Sequence, residues 1–318
     1  MVRVGELSPE VKLRILSLNP EQVTQQEVRE LLSPNPAPRI LNIHGGVFPI
    51  KTGMNSFSQF LISMGYPEAS IRNPGNGSYT YAYYDLSDEI AGTVAWYYER
   101  DGLRPMLVGH SQGGIQTIRV LHKLAGNVTP QVAVWNPLTR SEEKRYEIKD
   151  PLTGKARPVV GLRVCYATAA VAGGFARALP NQWDMYSKLR KIPDSVEEFT
   201  GFQKGLDVLG GDYLGYGPAN EYHATGSALV RNVRLPAGSS HSTIPYAEKL
   251  AREPQVRDWI ANYDPYGEFK SGIGANPELP KMNARILWAA EVWHGIKKHW
   301  VIELQQLIKA QNTHSHDG

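Results

Sequence analysis

The chain has 318 residues, of which 42% are hydrophobic and 9% aromatic, enough for one large or two small globular domains with a sizeable core. Its 34 basic residues are nearly balanced by 31 acidic residues, and no Lys/Arg block is present, which excludes nucleic acid as the main partner. The single cysteine, Cys165, excludes an internal disulfide framework and a cysteine-rich zinc site.

Two sequence features bear on cellular location. The opening residues, MVRVGELSPE, lack the apolar segment of a secretory signal. The most apolar run, LRVCYATAAVAGGFA at 162–176, is too short and too interrupted by glycine to span a membrane. We therefore expect a cytoplasmic protein without a membrane span, while secretion of a processed form stays open.

Residues 1–38 are predicted to form an N-terminal helical extension. Ser8-Pro9 and Asn19-Pro20 each place an N-cap residue before a proline at the first helical position. Apolar residues in VTQQEVRELL (23–32) recur at helical spacing, and the prolines of SPNPAP (33–38) end the extension.

Strands and helices then alternate over residues 39–138. The predicted strands are RILNIHGG (39–46), RPMLVG (104–109) and QVAVWN (131–136). The predicted helices are FSQFLISMGY (57–66), LSDEIAGTVAWYYERDG (86–102) and GIQTIRVLHKLAG (114–126). This alternation predicts an α/β fold, with a mostly parallel central sheet and helices on both of its faces.

The alternation breaks at Thr139. Residues 139–205 are predicted to be a cap or lid insertion, with a hairpin around Asp150–Gly154 and a helix beginning in PDSVEEFTGF (193–202). The core is predicted to resume over 206–265, with strand character in GLDVLGGD (205–212) and ALVRNVRLPAG (228–238). Residues 266–318 are predicted to be a C-terminal helical extension: a long helix over 284–310 and a disordered tail.

One short motif suggests chemistry. Gly109-His110-Ser111-Gln112-Gly113 matches the pattern G-x-S-x-G, and it is the only match in the sequence. It lies at a predicted strand-to-helix transition, where small flanking residues permit the strained turn that exposes a serine hydroxyl. A glycine-rich turn without chemistry is the alternative. The context favours Ser111 as a nucleophile.

A serine nucleophile needs a base with a pKa near 7, which in practice means histidine. Most of the nine histidines belong to the two glycine turns, to helices or to the tail, which leaves His223 and His241. His241 follows a predicted strand and is expected at the carboxyl end of the sheet, where catalytic groups of open α/β sheets gather. His223 precedes that strand, so a surface loop is expected for it.

The base needs an acid that fixes its tautomer. For this motif the acid lies between the serine and the histidine in the chain and follows a strand. Asp212 ends a short apolar strand in a glycine turn and is the first choice. Asp184 and Asp207 are the next choices, whereas Asp194 is more simply a cap.

An oxyanion hole needs backbone N–H donors at the position of the tetrahedral oxygen. The amide of Gln112 supplies one donor, because this residue follows the nucleophile at the start of the helix. The turn after NIHGG is expected to supply the second, from the amide of Gly46 or Val47. An ordinary strand-end turn is the alternative interpretation of this HGG sequence.

Together, RILNIHGG, FSQFLISMGY and MLVGHSQGG resemble the α/β-hydrolase superfamily, nearest to its bacterial lipase and esterase branch. The resemblance covers residues 39–136 and, more loosely, 205–262. It implies a triad of Ser111, His241 and Asp212, an acyl-enzyme intermediate, a cap domain and no cofactor. The helical N-terminus leaves little room for the two strands that usually precede the HGG strand, so a shortened sheet is expected.

The expected substrate is a small-molecule carboxylic ester. Ala and Val side chains of the proposed cap, with Phe175, Leu179 and Trp183, would line an apolar acyl pocket, or would simply pack the cap on the sheet. Aromatic walls from YTYAYYD (79–85) and Trp135 are a further possibility, and no metal-ligand spacing is present. Thioester cleavage or acyl transfer on the same triad, and a catalytically silent binding protein, are the competing hypotheses; the oligomeric state stays open.

Overall fold

A computed structural model describes residues 7–46, 48–82, 87–172, 180–205, 207, 221–236, 240–267 and 279–316. The helices are α1 (Pro9–Ser17), α2 (Gln25–Glu27), α3 (Phe48–Ser63), α4 (Ser87–Asp101), α5 (Gln112–Leu124), α6 (Pro254–Ala261) and α7 (Leu279–His316). Short 3-10 helices cover Pro20–Gln22, Glu68–Ser70, Pro180–Met185, His241–Thr243 and Glu248–Ala251.

Six of the twelve described strands form a central sheet, and the other six form three two-stranded pairs. In chain order they are β1 (Ile40–His44), β2 (Tyr81–Ala82), β3 (Met106–His110), β4 (Trp135–Asn136), β5 (Ser141–Glu142), β6 (Glu147–Lys149), β7 (Ala156–Pro158), β8 (Val164–Ala170), β9 (Lys191–Ile192), β10 (Val196–Lys204), β11 (His223–Ala224) and β12 (Leu229–Leu235).

The central sheet has the strand order β2-β1-β3-β8-β10-β12, and every neighbouring pair is parallel. Gly109 at the end of β3 pairs with Ile43 on one side and with Ala169 on the other. All six carboxyl ends therefore meet at one edge of the sheet. The predicted α/β class with a parallel central sheet is confirmed, and β1, the strand that ends in HGG, is the first described strand of that sheet.

Helices cover both faces of the sheet. On one face, α4 and α5 bury apolar side chains such as Ile90, Val94 and Ile118 against the strands. On the other face, α3, α6 and α7 form a second core that includes Phe57, Ile260, Trp288 and other side chains. The removal of these side chains from water is the main stabilisation of the layered arrangement, at about 1.5–3 kcal/mol for each large side chain.

The predicted helix starts in the N-terminal extension are confirmed. The Ser8 hydroxyl accepts a hydrogen bond from the Val11 amide at 3.2 Å and caps α1. The Asn19 side chain caps the 3-10 turn Pro20–Gln22 in the same way, through the Glu21 amide at 3.1 Å. These caps satisfy amides that would otherwise lack partners at the helix starts.

The prediction of a cap insertion over 139–205 is wrong for two of its segments. Strands β8 and β10 lie within this range, and β8 pairs directly with β3, the strand that ends just before Ser111. All seven residues of β8 are buried, so VCYATAA has no polar alternation to identify it as a strand. QVAVWN, in contrast, contributes only the two-residue β4, which pairs with β5 outside the central sheet. The predicted hairpin around Asp150–Gly154 is confirmed by the β6–β7 pair.

The prediction of a helix in PDSVEEFTGF is also wrong, because this stretch is the start of β10. Ser195 and Glu198 have the spacing of a capping box, but both have other partners. The Ser195 hydroxyl donates to the Leu121 carbonyl at 2.6 Å. The Glu198 carboxylate is paired with Lys298 at 2.8 Å and with His299 at 3.1 Å. Valine, threonine and phenylalanine in the stretch favour a strand.

Helix α7 is part of the core rather than a peripheral extension. Trp288, Trp293 and Trp300 are fully buried along it, and Trp300 donates to the Pro36 carbonyl at 2.8 Å, which ties the N-terminal segment to the helix. The helix continues to His316, so the predicted disordered tail is wrong as far as that residue. Among the described residues, no helix combines the length and apolar character that a membrane crossing requires.

Candidate active site

The G-x-S-x-G motif lies between β3 and α5, as predicted. Ser111 has φ 58° and ψ −126°, a backbone conformation that residues other than glycine rarely adopt. Its amide donates to the Ala170 carbonyl at 2.9 Å, which fixes the turn to the end of β8. The strain is held by the surrounding sheet.

Two glycines of the motif are required by close packing. A Cβ on Gly113 would lie 2.0 Å from the Ile43 carbonyl oxygen, and one on Gly109 would lie 2.4 Å from the Thr117 hydroxyl. Both distances are far below van der Waals contact, so neither position tolerates a side chain without movement of the backbone. The glycines of the motif therefore allow β3, α5 and β1 to pack closely together, which a loose turn would not require.

The structure brings His241 to the serine. His241 follows β12 and opens the 3-10 turn His241–Thr243 at the carboxyl edge of the sheet. Its Nε2 lies 2.8 Å from the Ser111 Oγ, and each of the two residues is only 7% exposed to solvent. His223 lies elsewhere, exposed in the short strand β11. The sequence-based choice of His241 over His223 agrees with this placement.

Asp207 contacts the His241 ring nitrogen that does not face the serine. Its Oδ2 lies 2.8 Å from the His241 Nδ1, and the carboxylate is buried. An imidazole that donates through Nδ1 to a carboxylate keeps Nε2 as an acceptor for the serine hydroxyl. Ser111, His241 and Asp207 thus form a continuous hydrogen-bonded chain.

This placement corrects the first choice of acid. Asp207 was only an alternative in the sequence, whereas Asp212 lies outside the described residues. Asp184 is engaged in an ion pair with Arg119 at 2.5 Å, and Asp194 accepts the Ala228 amide at 3.0 Å, where no helix begins for it to cap. We therefore assign the carboxylate partner of His241 to Asp207.

The preference for Asp212 over Asp207 followed from the predicted element boundaries. A helix was expected where β10 begins and a strand over 205–212, so Asp207 was expected to lie inside a strand. The strand in fact ends at Lys204, and Asp207 follows it at the carboxyl edge. The β-branched and aromatic residues of this run, Val196, Phe199, Thr200 and Phe202, were the signal that could have found this strand.

The glycine turn after β1 runs beside the elbow, which is the turn formed by Gly109–Gly113 around Ser111. A Cβ on Gly45 would lie 2.9 Å from the Ser111 Cβ and 3.3 Å from the Gln112 amide nitrogen. The Gln112 amide opens α5, where the first N–H groups have no carbonyl of a preceding turn to bond. The helix dipole favours negative charge at the same place. Gly46 is exposed in this turn, and Val47 lies outside the described residues.

His110, which the sequence analysis assigned only to the turn, is a further component of the site. It is fully buried, and its ring centroid lies 5.2 Å from that of His241. Neither ring nitrogen has a well-formed hydrogen bond to a described residue. Burial, with a smaller contribution from His241, lowers the pKa of His110 well below its usual value of 6.5. His110 is therefore a neutral wall against which the His241 ring packs.

The proposed apolar pocket is not formed by the residues that the structure describes. The small side chains of β8 are buried within the sheet, and Trp183 is 64% exposed. Phe175 and Leu179 lie outside the described residues. Tyr81 and Trp135 do share a cavity of about 540 Å³, but its other walls are largely polar: Asn73, Asn76, Glu89, Ile90, Thr93, Pro137, Thr139 and Arg140.

Two further searches bear on the chemistry of the site. Within the described ranges, no group of three or more His, Cys, Asp or Glu side chains is arranged to hold a metal ion. Comparison with known proteins finds no matching family model, no similar curated protein and no similar solved structure. The geometry of Ser111, His241 and Asp207 is therefore the feature that indicates a function.

Burial of neutral His110 predicts a specific pH dependence of stability. The unfolded chain binds a proton at His110 below pH about 6.5, whereas the folded protein does not, so acid favours unfolding. We expect the free energy of unfolding to fall by up to about 2 kcal/mol from this residue between pH 6.5 and pH 5. The measurement is urea denaturation of the wild type and of His110→Phe, which should show a flatter pH dependence.

His223→Asn is the control, because His223 is exposed. Its pH dependence should match that of the wild type. His122 and His294, whose pKa values are also lowered by burial, are present in all three proteins. An unchanged slope in His110→Phe would show that His110 is not held neutral in the fold.

Proposed function

We propose that this protein is a serine hydrolase that cleaves carboxylic esters through an acyl-enzyme intermediate. The observation that carries the proposal is the pair of 2.8 Å hydrogen bonds that join Ser111 Oγ, His241 and Asp207. A nucleophile, a base and an acid that orients the base are the three groups this chemistry needs. A binding protein has no use for this combination on a strained backbone, which disfavours the catalytically silent alternative.

In the first half of the proposed reaction, the Ser111 Oγ attacks the ester carbonyl carbon while its proton passes to the His241 Nε2. The imidazole becomes positively charged, and the buried carboxylate of Asp207 stabilises that charge through the Nδ1 hydrogen bond. The carboxylate remains ionised throughout. The same hydrogen bond keeps the ring from turning away from the serine.

The carbonyl oxygen becomes negatively charged in the tetrahedral intermediate. We propose that the Gln112 amide is one of its donors, since this amide opens α5 directly after the nucleophile. A second amide is expected from the neighbouring glycine turn, at Gly46 or Val47. The absence of side chains at Gly45 and Gly113 leaves the two segments close enough to act together.

Collapse of the intermediate breaks the ester C–O bond, and His241 gives its proton to the leaving alcohol. Water then attacks the acyl carbon while His241 removes its proton. Collapse of this second intermediate releases the carboxylic acid, and His241 returns the proton to the Ser111 Oγ. Thioesters, or an alcohol acceptor in place of water, would use the same groups. We propose esters of small molecules and assign no length to the acyl chain.

The proposal predicts covalent labelling at Ser111. A fluorophosphonate probe should label the native protein, because the activated hydroxyl displaces fluoride from phosphorus. Ser111→Ala should abolish labelling, whereas Ser242→Ala, a change beside the base in the sequence, should retain it. The measurement is in-gel fluorescence. Native protein that stays unlabelled would contradict the proposal of a hydrolase.

The assignment of the acid predicts different effects for two neighbouring aspartates. Asp207→Asn should lower ester turnover by about three to four orders of magnitude, because the amide no longer selects the reactive tautomer of His241. Asp212→Asn is the matched control and should retain most of the activity. Turnover of p-nitrophenyl acetate, with circular dichroism to verify folding, measures both variants. The reverse pattern would return the role to Asp212.

A further inference from the structure

A second cavity, of about 410 Å³, lies between the N-terminal segment, the end of α6 and the middle of α7. It shares no residue with the Ser111 site. Its walls include Glu21, Val23, Ala261, Tyr263, His294 and Lys297. Three parts of the chain that are distant in sequence therefore enclose a space of the size that takes a small ligand.

Lys297 is the unusual residue of this cavity. It is 4% exposed, and its Nζ donates to the carbonyl oxygens of Val23 at 2.6 Å and Ala261 at 2.9 Å. Val23, Ala261 and Lys297 all line the cavity. An ammonium group has three protons, and these two carbonyls accept only two of them.

Every other buried Asp, Glu or Lys in the described part of the chain has an oppositely charged partner or a histidine within 4 Å. These partners are Arg157 for Asp150, Lys298 for Glu198, His241 for Asp207, Arg231 for Glu291, Glu21 for Lys298 and Arg104 for Glu303. Lys297 has no such partner within 4 Å among the described residues. A buried cation without a close counter-charge is costly, and an anion in the cavity would reduce that cost.

We propose that this cavity binds a small monocarboxylate, whose carboxylate accepts the third N–H of Lys297. Tyr263 and Tyr266 also line this cavity, and aromatic side chains can offer apolar surface to the body of such a ligand. The inference does not depend on the proposed esterase activity.

The other charged groups of the cavity select against multiply charged anions. Glu21 faces the cavity but is paired with Lys298 at 2.6 Å and lies 3.3 Å from His294. Asp264 is exposed at the cavity, where it accepts the Tyr266 amide at 2.9 Å. Two carboxylates in the lining repel additional negative charge, so inorganic phosphate should bind worse than a monocarboxylate.

The protonation of Lys297 sets the pH range of binding. Burial lowers the pKa of Lys297 to about 8, and the more distant Glu27 opposes this effect. His294, whose pKa is lowered by burial, adds little charge at neutral pH. The carboxylate requires the ammonium form, so its affinity should be constant from pH 6 to about 7.5. Above about pH 8 it should fall by about tenfold per pH unit.

Isothermal titration calorimetry with phenylacetate tests the proposal. At pH 7 we expect one phenylacetate per chain, and no binding of the neutral analogue phenylacetamide or of inorganic phosphate at the same concentrations. Lys297→Met keeps an unbranched side chain of nearly the same length and removes its charge. It should weaken phenylacetate binding at least tenfold. Lys309→Met, an exposed position on the same helix, should leave it unchanged.

Three results would overturn the proposal: no binding of phenylacetate to the wild type, equal binding to Lys297→Met, or equal binding of phenylacetamide. Circular dichroism establishes whether Lys297→Met is folded. If that variant is unfolded, the pH dependence in the wild type decides. Affinity that stays constant from pH 7 to pH 9.5 would exclude the Lys297 ammonium as the partner. Phosphonate labelling of Ser111 is unaffected by any of these outcomes.

Discussion

The His241 imidazole carries the central interaction of this structure, because its two nitrogens join residues that follow three different strands. Ser111 follows β3, Asp207 follows β10 and His241 follows β12. The serine and the histidine are 130 residues apart in the chain, and the aspartate and the histidine 34. Because the parallel strands of the sheet all end at one edge, these distant residues come within hydrogen-bond distance. The rest of the fold serves to hold that edge in place.

Close packing on both faces makes the strained serine possible. On one face, the glycines of the elbow let α5 approach β1 until a single added carbon would overlap a backbone carbonyl. On the other face, Gly295 of α7 lies against the Tyr166 ring, where a Cβ would lie 2.3 Å from the ring carbon Cζ. Interiors packed in this way do not deform gradually, so an unfavourable backbone conformation persists where it is needed. The ion pairs of α7 with Arg104 and Arg231 fix the position of that helix.

The sequence was sufficient for the elements that have a local signature and insufficient for those defined by their surroundings. Ser111 could be predicted from two glycines at a strand-to-helix transition, and His241 from its place after a strand. Strand β8 was missed because burial on both faces removes the alternation that marks a strand. Because β10 was not predicted, the sequence favoured Asp212 over Asp207 as the partner of His241. His110 and Lys297 could not be identified, because their character comes from burial and from missing partners, which no local pattern records.

A crystal structure of the protein after reaction with a phosphonate ester tests the central claim most directly. The account predicts phosphorus bonded to the Ser111 Oγ, a phosphonyl oxygen that accepts the Gln112 amide, and His241 between the adduct and Asp207. A phosphonate on any other residue would contradict it. So would a His241 ring whose Nδ1 is bonded to a carboxylate other than that of Asp207.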